Sequence, residues 1–191
     1  MSGSSGRILV IRHGQTEWSR DRRHTGRTDI PLTVDGEAAA RALAPELQEW
    51  RGALVLSSPL QRARRTAELA GFDPEIDGDL AEWDYGAFEG RTSADIADDN
   101  PGWSIWTTPE GLGESLDDVR ARTERVLDRC RPVLAEGGAV VLVAHAHLLR
   151  VLVVTWMELP AVAAEHIVLD PAGTGVLGYD RGTPVLLHWN G

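Results

Sequence analysis

These 191 residues, 42% hydrophobic and 25% charged, have the composition of one soluble globular domain, and at this length a single core can bury roughly 70% of the unfolded surface. No apolar run approaches the roughly 20 residues that a membrane-spanning helix needs, which argues against a membrane protein. The net charge of -10 argues against a nucleic-acid partner, whose phosphates call for a basic excess, and leaves small anions as ligands.

Residues 1–6 form a Ser/Gly leader without the basic start, apolar stretch or cleavage site of a signal peptide. The expectation is a disordered leader over 1–6, one domain over 7–191, and a cytoplasmic protein. The lone cysteine, Cys130, cannot close an internal disulfide and falls in a helical stretch, where a small semi-buried apolar role is expected. Arg7 to Ile11 is a short branched apolar run, read as a strand buried on both faces and ending at Arg12-His13-Gly14. Val34, Ala38, Leu43 and Leu47 fall at helical spacing over 33–49, with Gly52 as a stop. A strand over 53–56 then runs into Ser57-Ser58-Pro59, where Ser58 as N-cap and Pro59 as first helical residue predict a helix to about Ala70.

Ser115 and Asp118 resemble a capping box opening a long helix to about Leu134, and Val140 to Ala144 is a buried strand that delivers His145. A helix from about Leu148 to Met157 follows, and Val168, Val176 to Tyr179 and Val185 to Leu187 read as closing strands. Alternating strands and helices predict an α/β three-layer sandwich, a mostly parallel central sheet with helices on both faces.

Three of these strands end in Arg12-His13, in Ser58 with Arg62 four residues on, and in His145. Ligands of open α/β sheets bind beyond the carboxyl ends of the strands, so these groups are placed to converge. All 19 cationic side chains are Arg, the side chain that grips a phosphoryl group with two prongs. Each residue also has a plainer reading. Arg-His-Gly after a strand is an ordinary turn, Glu82 is one acidic residue among many with Glu17 and Glu114 as rivals, and His145-Ala146-His147 has the spacing of a zinc pair but no third ligand to complete it. The cluster Arg20, Arg22, Arg23, His24 and Arg27 reads equally as a contact for a second anionic group or as a solvated loop. Trp50, Trp156 and Trp189 are expected in the core, and Trp18, Trp83, Trp103 and Trp106 around a pocket.

Several stretches occur together and in order: Arg12-His13-Gly14-Gln15-Thr16-Glu17-Trp18, Thr25-Gly26, Leu32-Thr33, Ser58-Pro59-Leu60-Gln61-Arg62 with Thr66-Ala67, Leu80-Ala81-Glu82-Trp83-Asp84-Tyr85-Gly86, Glu89-Gly90, Gly113-Glu114-Ser115 and Val143-Ala144-His145. In these the chain resembles the histidine phosphatase, or phosphoglycerate mutase-like, family over nearly its whole length. The resemblance implies His13 as nucleophile, Arg12 and Arg62 as phosphate clamps, His145 as a second phosphate-contacting histidine and Glu82 as proton donor. It adds Ser19, Thr25, Gly26 and Ala146 as substrate-binding positions, with no cofactor and no metal. The implied partner is a small-molecule phosphate ester, and the oligomeric state is open between monomer and homodimer.

Two positions depart from the family pattern. Ala146 stands where a Gly usually follows the second histidine, and would strain the pocket if that backbone needs a positive φ. Ser19 replaces an Asn that often touches the phosphate. Glycolytic mutases are longer and carry further basic residues after the catalytic Glu, whereas here Arg91 is the one cation between Trp83 and Leu116. The chain looks more like the small bacterial acid phosphatases of the family, so phosphomonoester hydrolysis through a phosphohistidine is expected. A mutase-type phosphoryl transferase and a non-catalytic phospholigand-binding protein are the alternatives.

Overall fold

The computed structural model of the chain describes residues 6–108 and 110–191. The expected leader, apart from Gly6, lies outside the described residues; Gly6 itself is buried, with the backbone of Leu134 and Gly138 against it.

In chain order the elements are β1 (Arg7–Arg12), α1 (Glu17–Arg20), α2 (Val34–Glu46), β2 (Leu54–Ser57), α3 (Gln61–Leu69), β3 (Glu75–Ile76), α4 (Ser93–Asp99), α5 (Leu116–Ala135), β4 (Ala139–Ala144), α6 (Ala146–Trp156), β5 (Thr174–Asp180) and β6 (Thr183–Trp189). The six strands form one sheet in the order β3-β2-β4-β1-β5-β6. The first four run parallel, and β5 and β6 close the sheet antiparallel. No helix among the described residues is long and apolar enough to cross a membrane.

Alternation along the central strands sorts the core into two layers, because successive strand residues point to opposite faces. Ile8, Val10, Leu56, Val140 and Leu142 pack with α5 and α6 and with Leu80, Trp83, Tyr85 and Phe88. Leu9, Ile11, Val141 and Val143 pack on the other side with Leu43 of α2, Ala63 and Ala67 of α3, and with Trp50 and Phe72. The expected three-layer arrangement is therefore what the chain adopts. Cys130 of α5 is buried in the first layer, and that burial pushes its thiol up to about 12.

Several helix starts differ from expectation. Thr33 caps α2 through Gly36 N–H, and the Ser115/Asp118 capping box is present at α5. Ser58 does not cap α3, which opens at Gln61; Asp29, remote in sequence, accepts from Gln61 N–H at 2.8 Å. The helix predicted to open at Pro59 thus starts two residues later, and a carboxylate accepts from its first amide. Helix α6 begins at Ala146 rather than Leu148, directly after β4. Val168 lies outside the strands and is exposed.

Candidate active site

Strands β1, β2 and β4 are neighbours, and their register sets Arg12 beside Ala144 and Ser57 beside Val143. The ladder continues past the strand ends, with His13 N–H donating to Ala144 O (2.9 Å) and Ser58 N–H to Val143 O (3.0 Å). This continuation brings His13, Ser58 and His145 together at the carboxyl edge of the sheet. Gly14 turns the chain there against Gly36 of α2, where a Cβ would stand 2.5 Å from a carbonyl oxygen; its own N–H donates to Thr66 Oγ1 on α3 (3.0 Å).

A cleft of about 520 Å³ opens over this edge, lined by Arg12, His13, Ser19, Thr25, Glu82 and Ala146 among the expected site residues. His13 lies 2.7 Å, Nδ1 to oxygen, from Gly14 O, so the ring proton sits on Nδ1 and Nε2 keeps its lone pair. Burial, then the guanidinium groups of Arg12 and Arg62, hold His13 well below the usual imidazole range, which keeps it neutral. Arg12 donates through Nη1 to Leu169 O, and its buried Nε has no acceptor among the described residues. A buried donor left unpaired costs free energy, so this group asks for an acceptor from the cleft.

Glu82 is anchored by three amides: Oε1 accepts from Trp83 N–H (2.9 Å) and Leu148 N–H (3.0 Å), and Oε2 from His147 N–H (3.2 Å). Two of these donors belong to the first turn of α6, where helix amides lack internal partners. The rivals lie elsewhere, since Glu17 is exposed beside Arg20 and Glu114 is held by Arg122. Asp84 and Glu89 are also occupied, by Arg27 and by the amides of Gly26 and Thr28.

Arg62 and His145 stand directly behind the cleft wall, both fully buried. Arg62 donates to Thr28 O, Thr25 O and Gly26 O at 2.9 Å and, through Nε, to His145 Nδ1 at 3.2 Å. Because Nδ1 accepts, the proton of His145 lies on Nε2, which donates to Ser58 Oγ at 2.7 Å. Burial and then Arg62 hold His145 well below the usual range, consistent with this neutral tautomer. Thr25 and Gly26 therefore act here through their carbonyls on Arg62. Gly26 is also required by space, since a Cβ would sit 2.5 Å from Trp83 O.

Ala146 is an ordinary helical residue and is absent from the positive-φ positions, so the expected strain does not arise. The hydroxyl of Ser19 accepts from Thr16 N–H and donates to Thr16 O, closing a capping box on α1. Of the basic cluster, Arg22, Arg23 and His24 line the cleft, whereas Arg20 pairs with Asp21 and Arg27 with Asp84. Trp83 is fully buried, not at the pocket, and Trp106 and Trp103 back the wall by packing on His147 and His24.

The zinc-pair geometry is absent: His145 faces Ser58 and Arg62, while His147 Nδ1 meets Tyr85 Oη at 2.6 Å. Among the described residues no group of three or more His, Cys, Asp or Glu is placed to hold a metal ion. Burial pushes the Tyr85 hydroxyl well above its usual range, so it keeps its proton and donates to Nδ1; His147 then carries its own proton on Nε2. His147, Tyr85, Arg150 and Asp170 are cleft residues for which the sequence suggested no role of this kind. Helical spacing carried the signal for Arg150, three residues after His147 and four after Ala146, once α6 is known to begin at Ala146.

Residues 8–191 match the family model described as the histidine phosphatase superfamily, branch 1. An acid phosphatase of Mycobacterium tuberculosis is 35% identical over 179 residues, covering 92% of this chain and 88% of the relative. A Shigella boydii protein named probable phosphoglycerate mutase is 32% identical over 192 residues, covering 95% and 89%. The solved structure of a Mycobacterium tuberculosis open reading frame product superposes with a TM-score of 0.92 at 33% identity, covering 97% of each chain. These likenesses bring enzymes of phosphatase or mutase type together, acting on small phosphate esters. The chain belongs to branch 1 of the histidine phosphatase superfamily.

Proposed function

We propose that the protein is a phosphomonoesterase that hydrolyses small phosphate esters through a phosphohistidine at His13. The observation that carries this reading is the His13 ring, which is neutral, has Nδ1 committed to Gly14 O, and lies at the cleft beside the unpaired Nε of Arg12. Nε2 attacks phosphorus as the bond to the ester oxygen breaks, and the leaving oxygen takes a proton from Glu82. Water then attacks the phosphohistidine, returns its proton to Glu82 and frees phosphate and Nε2. Oε2 of Glu82 has one long amide contact where Oε1 has two shorter ones, so Oε2 is the oxygen that carries the proton. Arg12 balances charge on the peripheral oxygens of a loose transition state. Arg62 and His145 are read as the rigid support that places Arg12, His13 and Ser58.

Transfer to water is favoured over return to a bound phosphoglycerate because Arg91, the one cation between Trp83 and Leu116, is held by Asp99 and Asp95 O. The helical backbone of Ala146 removes the motive for a non-catalytic reading. Brief incubation with para-nitrophenyl phosphate should leave acid-labile, alkali-stable phosphate on the protein and release inorganic phosphate. Labelling that survives in His13→Ala would overturn the mechanism. Formation of 2-phosphoglycerate from 3-phosphoglycerate without phosphate release would replace it by the mutase reading.

A further inference from the structure

The cleft has a second end. Arg150 and Ala146, four residues apart on α6, share one face of the helix, and Arg150 stands about 6 Å further along the axis; both line the cleft, as does His147. The Arg150 guanidinium is fixed by donation from Nε to Ala164 O (2.9 Å) and from Nη2 to Glu165 O (3.1 Å), with Cζ over the Trp106 ring at 4.5 Å. Its Nη1 has no acceptor among the described residues, and no carboxylate pairs with it. Arg22 and Arg23 line the same cleft at its exposed rim, also without side-chain partners among the described residues.

This absence of counter-ions is concentrated here. Most guanidinium groups of the molecule pair with Asp or Glu. Among the described residues, the guanidinium groups that do not are those of Arg12, Arg22, Arg23 and Arg150, which line this cleft, of Arg62 behind it, and of Arg51, Arg64 and Arg181 elsewhere. Of the two carboxylates of the lining, Glu82 is held by amides and acts from a distance on both Arg12 and Arg150, and Asp170 acts on Arg12; neither forms an ion pair with Arg150. A half-buried cation held in place without a counter-ion is costly unless an anion joins it.

We propose that Arg150, with Arg22 and Arg23 at the rim, binds a second anionic group of the substrate, phosphate or carboxylate. The preferred substrates are then small phosphomonoesters with anionic groups at both ends. The inner group meets Arg12 and His13, and the outer one meets Nη1 of Arg150, whose fixed fork makes charge-assisted hydrogen bonds. Val168, exposed in the cleft lining, offers apolar contact to the carbon skeleton. This inference rests on the inner end being the phosphoryl site.

The test compares kcat/KM for fructose 1,6-bisphosphate, 3-phosphoglycerate and glycerol 3-phosphate, three alkyl esters with a second phosphate, a carboxylate and no second anion. At least one of the first two should exceed glycerol 3-phosphate by about tenfold or more, the value of one charge-assisted contact. Which one it is separates phosphate from carboxylate. Arg150→Met, which retains an apolar stem over Trp106, should remove most of that preference, lowering the favoured substrate about tenfold more than glycerol 3-phosphate. If Arg150→Met does not fold, the exposed pair Arg22→Gln and Arg23→Gln should reduce the same ratio. Equal values for all three substrates, or a preference untouched by these changes, overturns the inference while leaving hydrolysis of para-nitrophenyl phosphate intact. If para-nitrophenyl phosphate is not hydrolysed either, the phosphatase reading falls. The inference is then decided by calorimetric Kd values of the same three compounds and their dependence on Arg150.

Discussion

Glu82 and Arg62 show how differently two buried charged residues are used at one site. Glu82 lines the cleft and accepts three amides, so Glu82→Gln sets an amide NH2 against a backbone N–H donor and also removes the proton that the proposed mechanism transfers. General acid catalysis is typically worth about 10² to 10⁴ in rate and matters most for a poor leaving group. Burst-phase rates should therefore fall far more for glycerol 3-phosphate than for para-nitrophenyl phosphate; equal losses would return Glu17 and Glu114 to consideration. We read Arg62 as a positioning residue, since its Nε fixes the tautomer of His145 while its other nitrogens hold three carbonyls. Arg62→Lys replaces a planar fork by a point charge. We expect kcat to fall by about 10²-fold or more, together with a changed nitrogen-15 signature of the His145 ring. Unchanged kinetics and spectra would remove Arg62 from the site.

At the scale of elements, the site depends on β4 passing into α6 with no connecting residue beyond His145. Ala146 starts that helix, so Ala146→Gly should lower stability by no more than about 1 kcal/mol, the propensity difference between the two residues. No gain in kcat should accompany it. A rise in turnover in urea-calibrated, equally folded protein would mean that this backbone does need glycine. The sheet and the long helices were legible in sequence because apolar periodicity carries them; Arg12 and His13 follow from the end of a strand, and Glu82 and Ala146, which line the same cleft, were marked only by the family resemblance. The start of α3 was not, since Asp29 caps it from across the fold and Ser58 is taken by His145. Arg150 was not either, because a helix read from Leu148 loses the turn that puts Ala146, His147 and Arg150 together. The place of Trp83 in the core was hidden because the stretch after Glu82 has irregular backbone, with no period to tell buried from exposed positions.

Over the whole molecule, four histidines are kept neutral by burial. His13, His145 and His147 are held well below the usual imidazole range, and His24 is lowered to about 4. An unfolded chain titrates all of them near 6.5, so between that value and their folded values the unfolded state binds more protons. Stability should therefore be full above about pH 6.5. It should decline as pH falls, each histidine contributing up to about 1.4 kcal/mol per pH unit. Carboxylates titrate mostly below this window, so urea unfolding at pH 7.5, 6.5 and 5.5 isolates the effect; His24→Gln should make the decline shallower. A midpoint that stays level, or rises, over this range would show that the four rings are not buried neutral. Turnover should not fail at about pH 6.5 through protonation of the nucleophile, because burial holds His13 well below the usual imidazole range.

Cys130 gives the molecule a built-in clock. Its thiol is sealed in the layer beneath α5 and α6 and stays protonated up to about 12. An alkylating reagent needs a thiolate in contact with solvent, and the native fold denies it both. Each alkylation event is consequently the record of one opening of the domain, and with a single cysteine in the chain every event reports the same place. The rate of iodoacetamide incorporation at neutral pH, followed by mass, would then read the frequency or the free energy of that opening, depending on which step is slower. Orthovanadate, as an occupant of the cleft, should slow the clock in proportion to its binding, although it touches nothing near the sulfur.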